Sequence, residues 1–214
     1  MADGKEELPE SAIDCPYELK NEQTVFSGKW LIAKSIDFKL RGGVNSGVWM
    51  SAHRPVLGNP KINANGVDII AYLLKDGLKF LILIKQYRIP IRRWILEFPA
   101  GLIDEDDESV EAAGKRELKE ETGYTVTRTL KVVKRGKYLN PGFTSDSVAF
   151  LVCEVDGTAL ENLNPKQNLD GDENIEVVLV ESTRVLDFLN EAADRGEVEV
   201  SVQVYTWALS KLFA

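Results

Sequence analysis

Strand-like and helix-like segments succeed one another along most of this chain. Lys29 to Leu40 and Val44 to His53 read as two strands around Arg41-Gly42-Gly43, a hairpin-like turn. A Pro/Asn/Gly connection, Arg54 to Ala64, follows. Val67 to Leu74 and Lys79 to Tyr87 are strongly β-like on either side of Lys75-Asp76-Gly77, and Trp94 to Phe98 is a short strand. The spacing from Val110 to Thr122 changes to a helical one, with Ser109 as N-cap and Gly123 as the residue that ends it. Strands are expected next at Thr125 to Lys137, Ser147 to Val155 and Ile175 to Val180, and helices at Thr183 to Arg195 and Val202 to Phe213. Such an order predicts a mixed sheet with helices packed on it, an α+β chain without a regular βαβ repeat. Residues 1–24 read as a loose leader, 25–60 as a small β lobe and 61–214 as the main domain.

One helix face departs from ordinary amphipathicity. At about 100° per residue, Glu117, Glu120 and Glu121 fall within one arc that Val110, Ala113 and Gly114 share a turn or two earlier. The opposite face carries Glu111, Lys115 and Lys119, a ladder suited to water. Three carboxylates therefore continue the stripe that should face inward, where unpaired anions repel and are costly to desolvate. Three readings compete: a solvated acidic helix end, an ion-pair network with Arg116, or a divalent-cation site built from hard oxygen donors. The turn Glu97-Phe98-Pro99-Ala100-Gly101 leaves backbone carbonyls as further ligands, and no His or Cys accompanies the cluster, which argues against zinc.

Composition narrows the class. The 214 residues are 44 % apolar, enough for one substantial core, and contain no run of about 18 apolar residues. Met1 to Glu10 is acidic and polar, unlike a secretory or transit segment. Cys15 and Cys153 lie far apart and read as free thiols in a reducing, intracellular setting. A net charge of −8 disfavours long nucleic acid but not a small anion whose field is reversed locally by metal and arginine.

Arg116-Glu117-Leu118-Lys119-Glu120-Glu121-Thr122-Gly123-Tyr124 resembles the core of the Nudix box, G-x5-E-x7-R-E-U-x-E-E-x-G-U, where U is a bulky aliphatic or aromatic residue. Seven residues separate Glu108 from Arg116, as that pattern requires; six, not five, separate Gly101 from Glu108. Outside the box, Gly28-Lys29-Trp30, Val48-Trp49, Lys85-Gln86-Tyr87-Arg88, Glu97 to Asp104 and Asn140-Pro141-Gly142 resemble the eukaryotic ADP-sugar pyrophosphatases of the same family. The resemblance implies an α/β/α sandwich and Mg²⁺- or Mn²⁺-dependent hydrolysis of ADP-ribose and related ADP-sugars to AMP and a sugar phosphate. It also implies a cytoplasmic or nuclear homodimer with exchanged N-terminal lobes.

Individual residues then acquire expected roles. Glu117 and Glu121 are the first-choice metal ligands, with Glu120 alongside and, by resemblance, the carbonyl of Ala100; Glu97 also comes within reach of the ions. Glu108 and Arg116 are expected to join loop to helix by a salt bridge, and Asp104 to Asp107 to be solvated. Trp30 and Trp49 are either packing residues or, as the resemblance implies, a clamp on the adenine ring. Arg54 and Arg88 are surface arginines or forked donors to diphosphate. Trp94 reads as core, and His53, the sole histidine, as structural or exposed. The acidic, Gly-containing loop Asn168 to Asn174 offers a general base, Glu173 by resemblance, with Glu176 in reserve. Two rival functions stand beside this one. The first is a Nudix hydrolase for NADH, an oxidised purine diphosphate or another nucleoside diphosphate sugar, and the second a non-catalytic nucleotide-binding Nudix module.

Overall fold

The computed structural model describes residues 15–55, 58–171 and 173–213. The chain divides into two compact units, Met1–Pro55 with Tyr138–Asp146 and Val56–Lys137 with Ser147–Ala214.

The first unit is a three-stranded antiparallel sheet in the order β1-β2-β3: β1 (Tyr17–Ser27), β2 (Ile32–Leu40) and β3 (Ser46–His53). The expected turn at Arg41-Gly42-Gly43 joins β2 and β3, with Leu40 N–H donating to the carbonyl of Asn45 at 3.0 Å. Residues 17–24 depart from the expected leader, because they form most of β1. Every residue of that strand is exposed, so no apolar stripe marks it. Pairing of its backbone with β2, from Tyr17 opposite Leu40 to Ser27 opposite Ile32, makes it a strand. Its register slips at Asn21, which takes a φ of 52° and donates from Nδ2 to Asp37 at 2.8 Å; asparagine tolerates that left-handed geometry better than most residues.

The second unit is built on an eight-stranded mixed sheet. Its strands are β4 (Gly66–Lys75), β5 (Leu78–Arg88), β6 (Arg93–Glu97), β7 (Ala100–Leu102), β8 (Arg128–Tyr138), β9 (Ser147–Asp156), β10 (Ile175–Glu181) and β11 (Glu199–Val200). The main path runs β11-β6-β5-β4-β9-β8, with β10 paired to β5 and β7 to β4. β4 runs parallel to β9 and β11 parallel to β6.

Period-two alternation sends the two faces of this sheet to different helices. Val67, Ile69, Ala71 and Leu73 of β4 and Ala149, Leu151, Cys153 and Val155 of β9 pack against Val110, Ala113 and Leu118 of α1 (Val110–Thr122). Leu81 and Leu83 of β5 face the other way, onto Val185, Leu189 and Ala192 of α2 (Val185–Asp194) and Val204 and Ala208 of α3 (Val202–Ser210). The result is a sheet between helical layers, the expected α+β sandwich, with a separate small antiparallel sheet at the N-terminal end. Leu118 is fully buried, and truncating such a side chain to alanine costs roughly 2–5 kcal/mol. Burial pushes the Cys153 thiol up to about 12, so this cysteine serves as core.

Candidate active site

The caps of α1 are those its sequence announces. Ser109 Oγ accepts the Ala112 N–H at 3.1 Å, and Gly123, at φ 76°, donates its N–H to Lys119 at 2.9 Å. Between them the helix lies on β4, β7 and β9 with Glu121 buried, Glu117 largely so and Glu120 partly exposed. The short strand β7 pairs with Gly66–Asp68 of β4, which brings Ala100 and Gly101 beneath the C-terminal half of the helix. A Cβ on residue 101 would overlap the Glu117 carboxylate. The glycine leaves the space that this carboxylate occupies.

Each acidic side chain has a specific protein partner. Glu121 Oε2 accepts the Ala100 N–H at 2.9 Å. Arg116 donates from one terminal nitrogen to Glu117 at 2.8 Å and to Glu120 at 3.0 Å. Its other terminal nitrogen reaches the Leu102 carbonyl at 3.1 Å and Asp107 at 2.8 Å. Among the described residues no three His, Cys, Asp or Glu side chains converge on one metal-sized position. Glu117 and Glu120 share one Arg116 nitrogen, while Glu121 turns to the Ala100 N–H. The ion-pair network is thus formed.

That network does not neutralise the glutamates fully. Burial pushes Glu117 up to about 7, even though the adjacent Arg116 guanidinium pulls it down. Burial pushes Glu121 up to about 9; its bond from Ala100 opposes this, and Glu117 and Glu173 add repulsion. Two hard-oxygen donors on one turn, held where protein dipoles leave their charge under-compensated, suit a divalent cation. The chemistry of the donor set suits such an ion; Glu117, Glu120 and Glu121 would hold it on leaving Arg116 and the Ala100 N–H.

The salt bridge expected between Glu108 and Arg116 is corrected. Glu108 is exposed, and the carboxylates on Arg116 are Asp104, Asp107, Glu117 and Glu120. Asp107, expected to be solvated, is 7 % exposed; it accepts the Asp104 N–H at 2.8 Å and raises the affinity of Arg116 for its proton. Five residues separate Gly101 from Asp107, the spacing of the box, so counting forward from the glycine finds the anchor that counting back from the arginine misses.

The remaining site residues fall in both units. Arg88, at the end of β5, donates from Nε to Glu97 at 2.8 Å, and both Arg88 and Glu173 act electrostatically on Glu121. Glu173 also holds its own loop, its carboxylate accepting the Asp170 N–H at 3.1 Å. Glu176 pairs with Lys85 at 3.1 Å. Within the N-terminal unit, Trp30 is half exposed with Lys29 Nζ 4.3 Å from its ring centroid. Trp49 meets Phe38 edge-on and lines a slot of about 250 Å³ with Ser51, His53, Tyr138, Pro141 and Phe143. His53 is held between the hydroxyls of Ser51 and Ser145, each at 2.8 Å, a structural role. Arg54 pairs with Asp146 at 3.4 Å.

Comparison with known proteins decides the family. The NUDIX domain family matches residues 64–199. The chain belongs to the Nudix family. A protein of Caenorhabditis elegans that carries the nudix hydrolase name is 42 % identical, over 98 % of this chain and 92 % of its own. The ADP-ribose pyrophosphatase of Saccharomyces cerevisiae is 34 % identical over 78 % of this chain and 71 % of its own, and the ADP-sugar pyrophosphatase of Mus musculus 33 % over 69 % and 67 %. A solved structure described as an ADP compounds hydrolase superposes with a TM-score of 0.61 at 24 % identity, over 82 % of this chain and 84 % of that one, a likeness of fold. Nudix hydrolases generally use divalent metal ions, which agrees with the carboxylates on the Nudix helix α1. No helix among the described residues is long and apolar enough to cross a membrane.

Proposed function

We propose that this Nudix hydrolase cleaves the pyrophosphate bond of ADP-ribose and related ADP-sugars, yielding AMP and a sugar phosphate, with Mg²⁺ as cofactor and Mn²⁺ as its substitute. The observation that carries this reading is buried Glu121 one turn from largely buried Glu117, which fills the space left at Gly101, in a chain related to ADP-ribose and ADP-sugar pyrophosphatases.

Glu117, Glu120, Glu121 and the carbonyl of Ala100 would hold the cation, which would supply neutralisation of diphosphate oxygens and a more acidic water. Glu173 takes the proton from the attacking water, since it lies within the electrostatic reach of Glu121 on a loop that is otherwise solvent-facing. Arg88 presents forked donors to the diphosphate, oriented by Glu97, and Arg54 does the same from the N-terminal unit. Trp30 and Trp49, each about half exposed, stack on the adenine. The chain works as a homodimer with exchanged N-terminal units, a reading supported by Val25, Phe26, Val48 and Met50, apolar residues more than half exposed on β1 and β3. Its setting is cytoplasmic or nuclear.

The test is product analysis on the purified chain with ADP-ribose, NADH, an oxidised purine diphosphate and a non-adenine nucleotide sugar. AMP release from ADP-ribose that needs Mg²⁺, and that drops by roughly a hundredfold or more in Glu121→Gln, is expected. Faster turnover of another substrate replaces the ADP-ribose assignment, and no metal-dependent product from any of them makes the protein a non-catalytic binder.

A further inference from the structure

The last turn of α1 leaves carbonyls beyond the reach of intrahelical donors. Two of them, on Glu120 and Glu121, are met by a single short segment. Asn168 donates its N–H to Glu120 at 2.8 Å, and Gln167 donates from Nε2 to Glu121 at 2.6 Å. The same Gln167 nitrogen donates to the carbonyl of Ile175, the first residue of β10, at 3.0 Å. An amide nitrogen carries two protons, and here both are engaged. The backbone of Pro165 and Lys166 runs so close over the helix end that a Cβ on residue 123 would strike it, which makes Gly123 doubly required.

These contacts close the loop after residue 167 at its mouth. One end is tied to the helix that carries Glu120 and Glu121, the other to the start of β10, and Gln167 is the side chain common to both ties. The loop carries Glu173, which turns back on it through the Glu173 N–H to the Asp170 carbonyl at 3.0 Å and the carboxylate to the Asp170 N–H at 3.1 Å. The ties of Gln167 and Asn168 and the Asp170–Glu173 contacts restrain Glu173 relative to the helix.

We infer that Gln167 is a positioning residue, which holds the Glu173 loop in register with the carboxylates of the Nudix helix and thereby sets the distance between base and metal site. The inference rests on the proposed reaction for its catalytic consequence. A purely structural glutamine would, when replaced, lower stability without regard to Glu173.

The experiment is a double-mutant cycle on the full chain, with Gln167→Met, Glu173→Gln and the double variant assayed for Mg²⁺-dependent ADP-ribose hydrolysis. Methionine keeps the length of the side chain and removes both donors. Gln167→Met is expected to lower kcat by about tenfold to a hundredfold, the scale of a misplaced catalytic group, with KM nearly unchanged. In the Glu173→Gln background the same change is expected to cost nothing further. An equal fall on both backgrounds, or an unchanged kcat, overturns the inference. Should the methionine variant be insoluble, Gln167→Asn, too short to span both carbonyls, serves in its place. Hydrogen exchange supplies a readout independent of activity: the amides of Asn168 and Glu173 are expected to exchange faster in Gln167→Met, and unchanged exchange refutes the pinning. Wild-type turnover by Glu173→Gln defeats instead the choice of base, and exchange alone then decides whether Gln167 ties the loop.

Discussion

Buried glutamates held above their ordinary range make the stability of this protein depend on pH in a direction opposite to the usual one for carboxylates. Glu117 rises from 4.5 to about 7 and Glu121 from 4.5 to about 9, both chiefly through burial. A carboxyl whose folded value is raised favours the fold fully below its unfolded value, and that contribution is lost as pH climbs through the folded value. For Glu117 alone, the part of that interval above about pH 5.5 is worth about 2 kcal/mol. Glu121 acts in the same direction. In a chain of this size about 2 kcal/mol corresponds to roughly 4–8 °C in Tm. Glu22, Glu111 and Asp156 have lowered values and lose their contribution only toward acid, so they do not disturb a window above about pH 5.5. The measurement is a thermal melt with chelator present, stepped from about pH 5.5 to 8.5, for the wild type, Glu117→Gln and Glu121→Gln. Wild-type Tm should fall across that window by the amount above, and each variant should flatten the slope. Excess Mg²⁺ should restore Tm most at the alkaline end, where fewer protons compete for the same oxygens. A wild-type Tm that is flat or rises with pH in chelator, or variants with wild-type slopes, would show that these carboxylates are not buried at the cost described.

Two further outcomes follow from the geometry around Arg116 and Gly101. Asp107→Asn removes the buried anchor of an arginine that is part-exposed and keeps other carboxylates, so urea denaturation should show a loss of about 2–3 kcal/mol, below that for a fully buried pair, while Glu108→Gln should stay within about 0.5 kcal/mol; equal losses would return the anchoring role to Glu108. Gly101→Ala should drive the Glu117 carboxylate out of its cradle, lowering Mg²⁺-dependent turnover by about a hundredfold with a stability loss of about 1–3 kcal/mol. Turnover close to wild type in that variant would mean that Glu117 does not need the place it occupies.

Much of the main sheet was legible because its strands are buried on both faces. The run from Val67 to Leu74 is nearly all apolar, and so is the core of β5, hence their boundaries agree with the structure to within a residue or so at either end. The α1 caps were equally plain, since Ser109 and Gly123 act through their own backbone neighbours. β1 was missed for the opposite reason: it is exposed throughout, and the partner that makes it a strand lies elsewhere in the sequence. Asp107 was passed over because counting back from Arg116 points to Glu108, and both spacings of the box cannot be met at once in this run of five acids. Gln167 offered no signal at all, a polar residue in a polar loop whose two acceptors lie on different elements.

The helix and its unusual acidic stripe are properties of local spacing, and local spacing is written in the order of residues: a period near 3.6, a cap at each end, three glutamates on the apolar arc. What those glutamates meet is not local. Folding brings β7 under α1, so that Gly101 makes room for Glu117 and Ala100 offers its N–H to Glu121; it turns Asp107 inward onto Arg116; and it lays the segment before β10 across the helix end. Burial and partnership set the charge a carboxyl carries, and both depend on residues remote along the chain. The acidic stripe could therefore be read from the sequence, whereas its electrostatic state and its supports belonged to the tertiary structure alone.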